Sequence, residues 1–196
     1  MDLEITYERD ADGKKLSSSI PDRNKEWVLA FVAEHSVKSP AEIETVVQAA
    51  HDEMMAAIEG LSEEQASWRT ADGEWSVLEA MAHLVTTKRT MAGLARTLAA
   101  GQRPPGAEQF EEMAAQDGQV MVSPASLAEA RQMAEEAHER WLAVIRALDT
   151  ADTETRFKHY IFGAMNAREW SVFQAVHDGD HTPQMLRVRG APGFPA

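Results

Sequence analysis

Apolar residues recur with helical spacing in four long stretches, and this periodicity constrains the fold more than any other feature of the chain. Pro40–Leu61 puts Ile43, Val47, Met54 and Ile58 on one stripe. Ser76–Ala100 aligns Val77, Met81, Leu84, Met91, Ala95 and Leu98. Ser123–Leu148 opens on Ser-Pro, which reads as an N-cap and a first helical residue, and aligns Leu127, Ala134, Trp141 and Ile145. Ser171–Arg189 is the fourth stretch. Each helix must bury its stripe against another element, so the pattern predicts an all-α, up-and-down four-helix bundle.

Proline and glycine punctuate the stretches between them. The bundle is expected over residues 40–190, with residues 1–39 as an N-terminal extension and residues 191–196 as a tail. The extension suggests a short strand at Leu3–Tyr7, a polar turn and a short helix around Asn24–His35. Gly101–Val122 is longer than a bundle connection needs. It reads as a solvated loop, with a lid over one end as the alternative.

Composition then removes whole classes of function. The 196 residues are 44% hydrophobic and 26% charged, the balance of a globular protein. A net charge of −13 opposes sequence-independent binding to nucleic acid and docking on an anionic membrane. No apolar run is long enough to span a bilayer, and no secretory signal is visible, so the cytoplasm is the expected location. The absence of cysteine excludes disulfides, thiolate ligands and a thiol nucleophile from the chain itself.

The tetrapeptide EWSV occurs twice, at Glu74–Val77 and Glu169–Val172. Ser76 precedes Glu79 by three residues and Ser171 precedes Gln174 by three, so both copies fit a capping box. Two helix starts are therefore expected there. His83 follows its cap by seven residues, and His177 and His181 follow theirs by six and ten. If the second and fourth helices run parallel, all three imidazoles lie at one level, roughly 9–15 Å from the helix starts.

His177 and His181 stand four apart on the stripe Trp170, Phe173, His177, His181, Gln184, Val188, which has inward-facing spacing. Unpaired polar groups on such a stripe cost ~1–3 kcal/mol each. A divalent ion held by neutral imidazole nitrogens satisfies them together. The third ligand stays open at this stage. His51 and His138 fall near the same level as His83, and spacing does not separate His83 from His138. His35 and His159 lie outside the main helices and read as surface residues. The segment HDGDH is not a zincin motif, since it lacks the glutamate base and no His, Asp or Glu follows His181.

WSVLEAMAHL at Trp75–Leu84 and IFGAMNAREWSVFQAVHDGDHTPQM at Ile161–Met185 resemble the two signatures of the DinB/YfiT-like superfamily of metal-dependent enzymes. The resemblance implies a four-helix bundle with a divalent ion, nickel or zinc, held by His83, His177 and His181. It also implies chemistry on a small electrophilic substrate, either an S-transfer with a borrowed low-molecular-weight thiol or a hydrolysis. Relatives of this kind include mycothiol-dependent maleylpyruvate isomerase and bacillithiol S-transferases. The alternative is a bundle that binds a metal or small molecule without turnover. A homodimer is expected by the same analogy, together with exposed Ala and Met. Gly179 and Pro183 depart from the family's smooth last helix, and a kink is expected just after His181. Asp178 and Asp180 are candidates to orient a ligand from behind.

Overall fold

The structure, a computed structural model, describes residues 3–9, 15–71, 74–104 and 121–196. Two strands, β1 (Thr6–Arg9) and β2 (Lys15–Ser19), form an antiparallel hairpin ahead of α1 (Asp22–Ser36). Then come α2 (Pro40–Ala57), the short α3 (Glu63–Ser67), α4 (Val77–Ala99) and α5 (Leu127–Arg146). A second hairpin, β3 (Phe157–His159) and β4 (Gly163–Met165), leads into α6 (Ala167–Arg189). The expected four-helix bundle is present, built from α2, α4, α5 and α6. The connection read as a loop or lid falls mostly at residues 105–120, outside the described residues.

Helix starts are set by side chains that satisfy the first free amides. Ser39, Ser62 and Ser76 form complete capping boxes with Glu42, Gln65 and Glu79. Each cap is worth about 1 kcal/mol. α1 starts after Pro21 without a side-chain cap, and two further starts differ from expectation. Ser126, not Ser123, caps α5 by accepting from the Glu129 amide. Asn166 caps α6 and forms a box with Glu169, so the second EWSV lies inside the helix. There the Ser171 hydroxyl donates to the Ala167 carbonyl at 2.8 Å. Asn166 and Glu169 also satisfy the capping-box spacing, and the β3–β4 hairpin delivers the chain to them. Gly163 makes its turn possible with φ +85.

The helix directions carry a further correction. Val77, Met81 and Leu84 at the start of α4 share an apolar cluster with Met185 and Val188 near the end of α6. Leu94 and Leu98 at the end of α4 cluster with Trp170 and Phe173 near the start of α6. So α4 and α6 run antiparallel, where the equal-height expectation has them parallel. Leu127 and Ala134 of α5 lie in the cluster at the α4 start, while Trp141 and Ile145 lie in the other, so α5 runs beside α4 in the same direction. The order is up, down, down, up. This explains the long connection after Gly101, since the chain must return along the bundle before α5 begins. Consecutive α2 and α4 sit across the diagonal, and each packs on α5 and α6.

The two apolar clusters occupy the two ends of the bundle. α6 continues as one helix through Gly179 and Pro183 to Arg189. α1 packs along α6 through buried Val28 and Val32. Arg168 ties these parts together by donating to the carbonyls of Ser36, Lys38 and Leu148.

Candidate metal centre

His83 lies six residues into α4 and His181 eight residues before the end of α6. Because the helices are antiparallel, these positions meet at one level, and His177 lies one turn away on the same face. One ring nitrogen from each of the three histidines lies within 4.8 Å of the others. His83 Nε2 and His177 Nε2 are 3.3 Å apart. The ring centroids are separated by 5.2, 4.8 and 4.9 Å. Two nitrogens bound tetrahedrally to zinc at ~2.0–2.1 Å stand about 3.3–3.4 Å from each other, so the residues fit a divalent ion.

The surroundings favour a neutral His177. Burial first, and then the rings of His181 and His83, hold His177 well below the usual histidine range. Its Nδ1 is buried without a hydrogen-bond partner. His181 Nδ1 lies 2.8 Å from Gln184 Oε1, an acceptor, which places the proton on Nδ1 and leaves Nε2 as a lone-pair donor. The Trp75 ring packs against His83 at 4.9 Å and His181 at 6.1 Å. Trp75 forms an apolar wall beside the imidazoles. All three histidines are partly exposed, so the site can be reached from solvent.

Behind the trio is a buried polar layer that sequence reasoning missed. Lys88 Nζ lies 2.8 Å from Asp178 Oδ2, and the two side chains are 2% and 0% exposed. Asp178 Oδ1 accepts from Gln174 Nε2 at 2.7 Å. Lys88 Nζ is also 3.4 Å from His51 Nδ1, and His51 Nε2 is 3.4 Å from Glu135 Oε2. His51 and His138 stack with centroids 3.8 Å apart and planes 5° from parallel. His138 Nε2 faces Gln48 Oε1 at 3.0 Å. Burial and then the Lys88 charge push His51 down to about 4. Burial, then His51, then Lys88 push His138 down to about 3.

Placement separates the two candidates: His83 lies with His177 and His181, while His138 stacks on His51. His159, read as a surface residue, is only 9% exposed. Its Nδ1 accepts from the amides of Ile161 and Phe162, and its ring packs on Phe162 and Phe173. Asp178 is bonded to Lys88 and Gln174, and Asp180 accepts from the Leu3 amide at 2.7 Å. His51, His138 and Asp178 were noted singly from the sequence, while the signal passed over was Lys88, a cation five residues from His83 on a helix otherwise rich in apolar residues.

Fold and site together define a helical bundle with a three-histidine centre that could hold a metal ion. The chain belongs to the DinB superfamily, whose family model matches residues 47–185. A solved protein described as TT2238, a four-helix bundle protein, is similar over 74% of this chain and 97% of its own, at 17% identity and a TM-score of 0.50. No curated protein matches the chain. No helix among the described residues is long and apolar enough to cross a membrane.

Proposed function

We propose that the chain is a divalent-metal-dependent enzyme of the DinB type that transfers a thiol to, or hydrolyses, a small electrophilic substrate. The convergence of three imidazole nitrogens on one point, with His83 and His177 at a zinc-like 3.3 Å, carries this reading. Nickel or zinc suits such a nitrogen set. When bound, the ion supplies Lewis acidity toward a thiol, a water or a polarised substrate atom.

The chain's own residues have separate tasks. His83, His177 and His181 present lone pairs, and the depressed basicity of His177 keeps it in the form a metal requires. Gln184 orients His181 through Nδ1. Trp75 shields one side of the centre from water and offers an apolar surface to substrate. A thiol nucleophile must come from outside, since the chain has no cysteine.

A second reading, metal or ligand binding without turnover, is favoured by one observation. Asp178, a carboxylate neighbouring a ligand position, is already bonded to Lys88 and Gln174, away from any general-base role. The test is to assay the zinc- or nickel-loaded chain with a generic electrophile and each low-molecular-weight thiol. Metal-dependent consumption that disappears in His177→Ala supports the enzyme. Metal uptake without consumption of any electrophile supports the binding module. Assembly as a homodimer is part of the same proposal, and light scattering that reports a monomer at micromolar concentration removes it.

A further inference from the structure

We infer that the buried Lys88–Asp178 pair is a positioning device, which pins α4 to α6 in the register where His83 meets His177 and His181. This rests on the metal-site reading above. The pair joins the two helices that carry the three histidines. Lys88 follows His83 by five residues, and Asp178 is the residue after His177. The bond is 2.8 Å with both side chains almost fully removed from solvent.

Stability alone is a poor reason for this pair to be there. A buried ion pair is often no more stable than apolar residues of the same volume, because desolvating two charges offsets their attraction. What such a pair does supply is discrimination. The flanking clusters are made of aliphatic and aromatic side chains, whose burial is a non-directional driving force. A slip of α4 by one turn along α6 displaces it by about 5.4 Å. That slip would carry His83 out of reach of His177 and strand both charges unpaired in the core. Gln174 holds the second oxygen of Asp178 at 2.7 Å, so the carboxylate is fixed in direction as well as place. Lys88 and Asp178 are therefore positioning residues.

The test separates register from stability. Cobalt(II) is titrated into the full-length chain and its visible absorption bands report both affinity and coordination geometry. The double variant Lys88→Met with Asp178→Leu is expected to melt no lower than wild type, yet to bind cobalt about tenfold more weakly with altered bands, a loss in the range typical of residues that orient ligands. Wild-type affinity and bands in that variant would overturn the inference while leaving the metal site standing. If the double variant does not fold, Gln174→Leu decides. It keeps the ion pair, releases one carboxylate oxygen, and replaces an amide whose Oε1 is already buried without a partner. Weaker cobalt binding by Gln174→Leu supports the inference, and unchanged binding overturns it. A wild-type chain that takes up no cobalt, zinc or nickel fails at the earlier step and brings this inference down with it.

Discussion

Two groups of histidines lie inside the same bundle, close enough that one lysine influences both, and they are built for opposite ends. His83, His177 and His181 turn ring nitrogens toward one another, to within 4.8 Å. His51 and His138 turn ring faces toward one another, 3.8 Å apart and 5° from parallel. Stacked rings point their nitrogens outward in the ring plane, here toward Lys88, Glu135 and Gln48, and cannot share an ion between them. Nitrogens that converge on one point can. The comparison teaches that an imidazole's role follows from where its nitrogens aim, which burial and spacing do not reveal.

Metal binding should divide the two groups most sharply. His83→Ala, His177→Ala and His181→Ala are each expected to lower zinc affinity by at least about a hundredfold, above the range seen for residues that merely orient ligands. His138→Ala should leave it within about threefold of wild type. Competition with a chromophoric chelator measures both. Loss of binding in His138→Ala equal to that in His177→Ala would erase the distinction.

The next effect falls on stability. Lys88→Met alone leaves Asp178 buried and unpaired, at a cost of about 3–5 kcal/mol. Urea unfolding of the metal-free chain measures it. A cost below about 1 kcal/mol would mean that Asp178 finds another partner or takes up a proton.

Acid should act next through the stacked pair. His51 and His138 titrate at about 4 and about 3 in the folded chain, below the unfolded value near ~6.5. Their folded state thus favours the neutral ring. The stability they contribute is complete above the unfolded value and declines as pH falls from ~6.5 toward 4 and 3, where the unfolded chain takes up protons that the folded chain refuses. His138→Phe should flatten that decline in metal-free protein. An acid profile identical to wild type would show that the stacked pair does not set it.

Much of this was legible from sequence, for reasons that differ by feature. Helical periodicity gave the bundle because burial of an apolar stripe leaves a 3.6-residue signature at Ile43, Met54, Leu84 and Trp141. The last helix start was misread at Ser171 because two capping patterns compete there, and the hairpin that favours Asn166 is a tertiary effect. Helix direction was not legible. A long connection can cross the bundle or loop back, and only packing shows that α5 runs with α4. The three histidines nevertheless came together, from an equal-height premise that was wrong in both its second cap and its parallel helices. Antiparallel helices equalise positions counted from opposite ends, and here six residues from one end match eight from the other. The family signatures, not the helix arithmetic, singled out the residues that converge. Asp178 was noted beside His177, but Lys88 escaped notice because a single charge in an apolar helix leaves no periodic mark, and its partner is ninety positions away.

Two glutamines offer the finest contrast. Gln184 accepts from His181 Nδ1 at 2.8 Å, and Gln48 faces His138 Nε2 at 3.0 Å, so each orients one histidine by one amide oxygen. Their removal should have different consequences because the histidines differ in purpose. Gln184→Ala frees the His181 ring to turn and lowers the basicity of its remaining nitrogen, so zinc affinity should fall by about ten- to hundredfold. Gln184 is partly exposed, and water can replace its oxygen, so stability of the metal-free chain should change by less than about 1 kcal/mol. Gln48→Ala should leave zinc affinity unchanged. Instead it strands a ring nitrogen on His138, which is 1% exposed and already lacks a partner at Nδ1, at a cost of about 1–3 kcal/mol. Chelator competition and urea unfolding on both variants give four numbers. Gln48→Ala weakening zinc as much as Gln184→Ala does would mean that the stacked pair supports the metal centre directly, and the two groups would then have to be treated as one site.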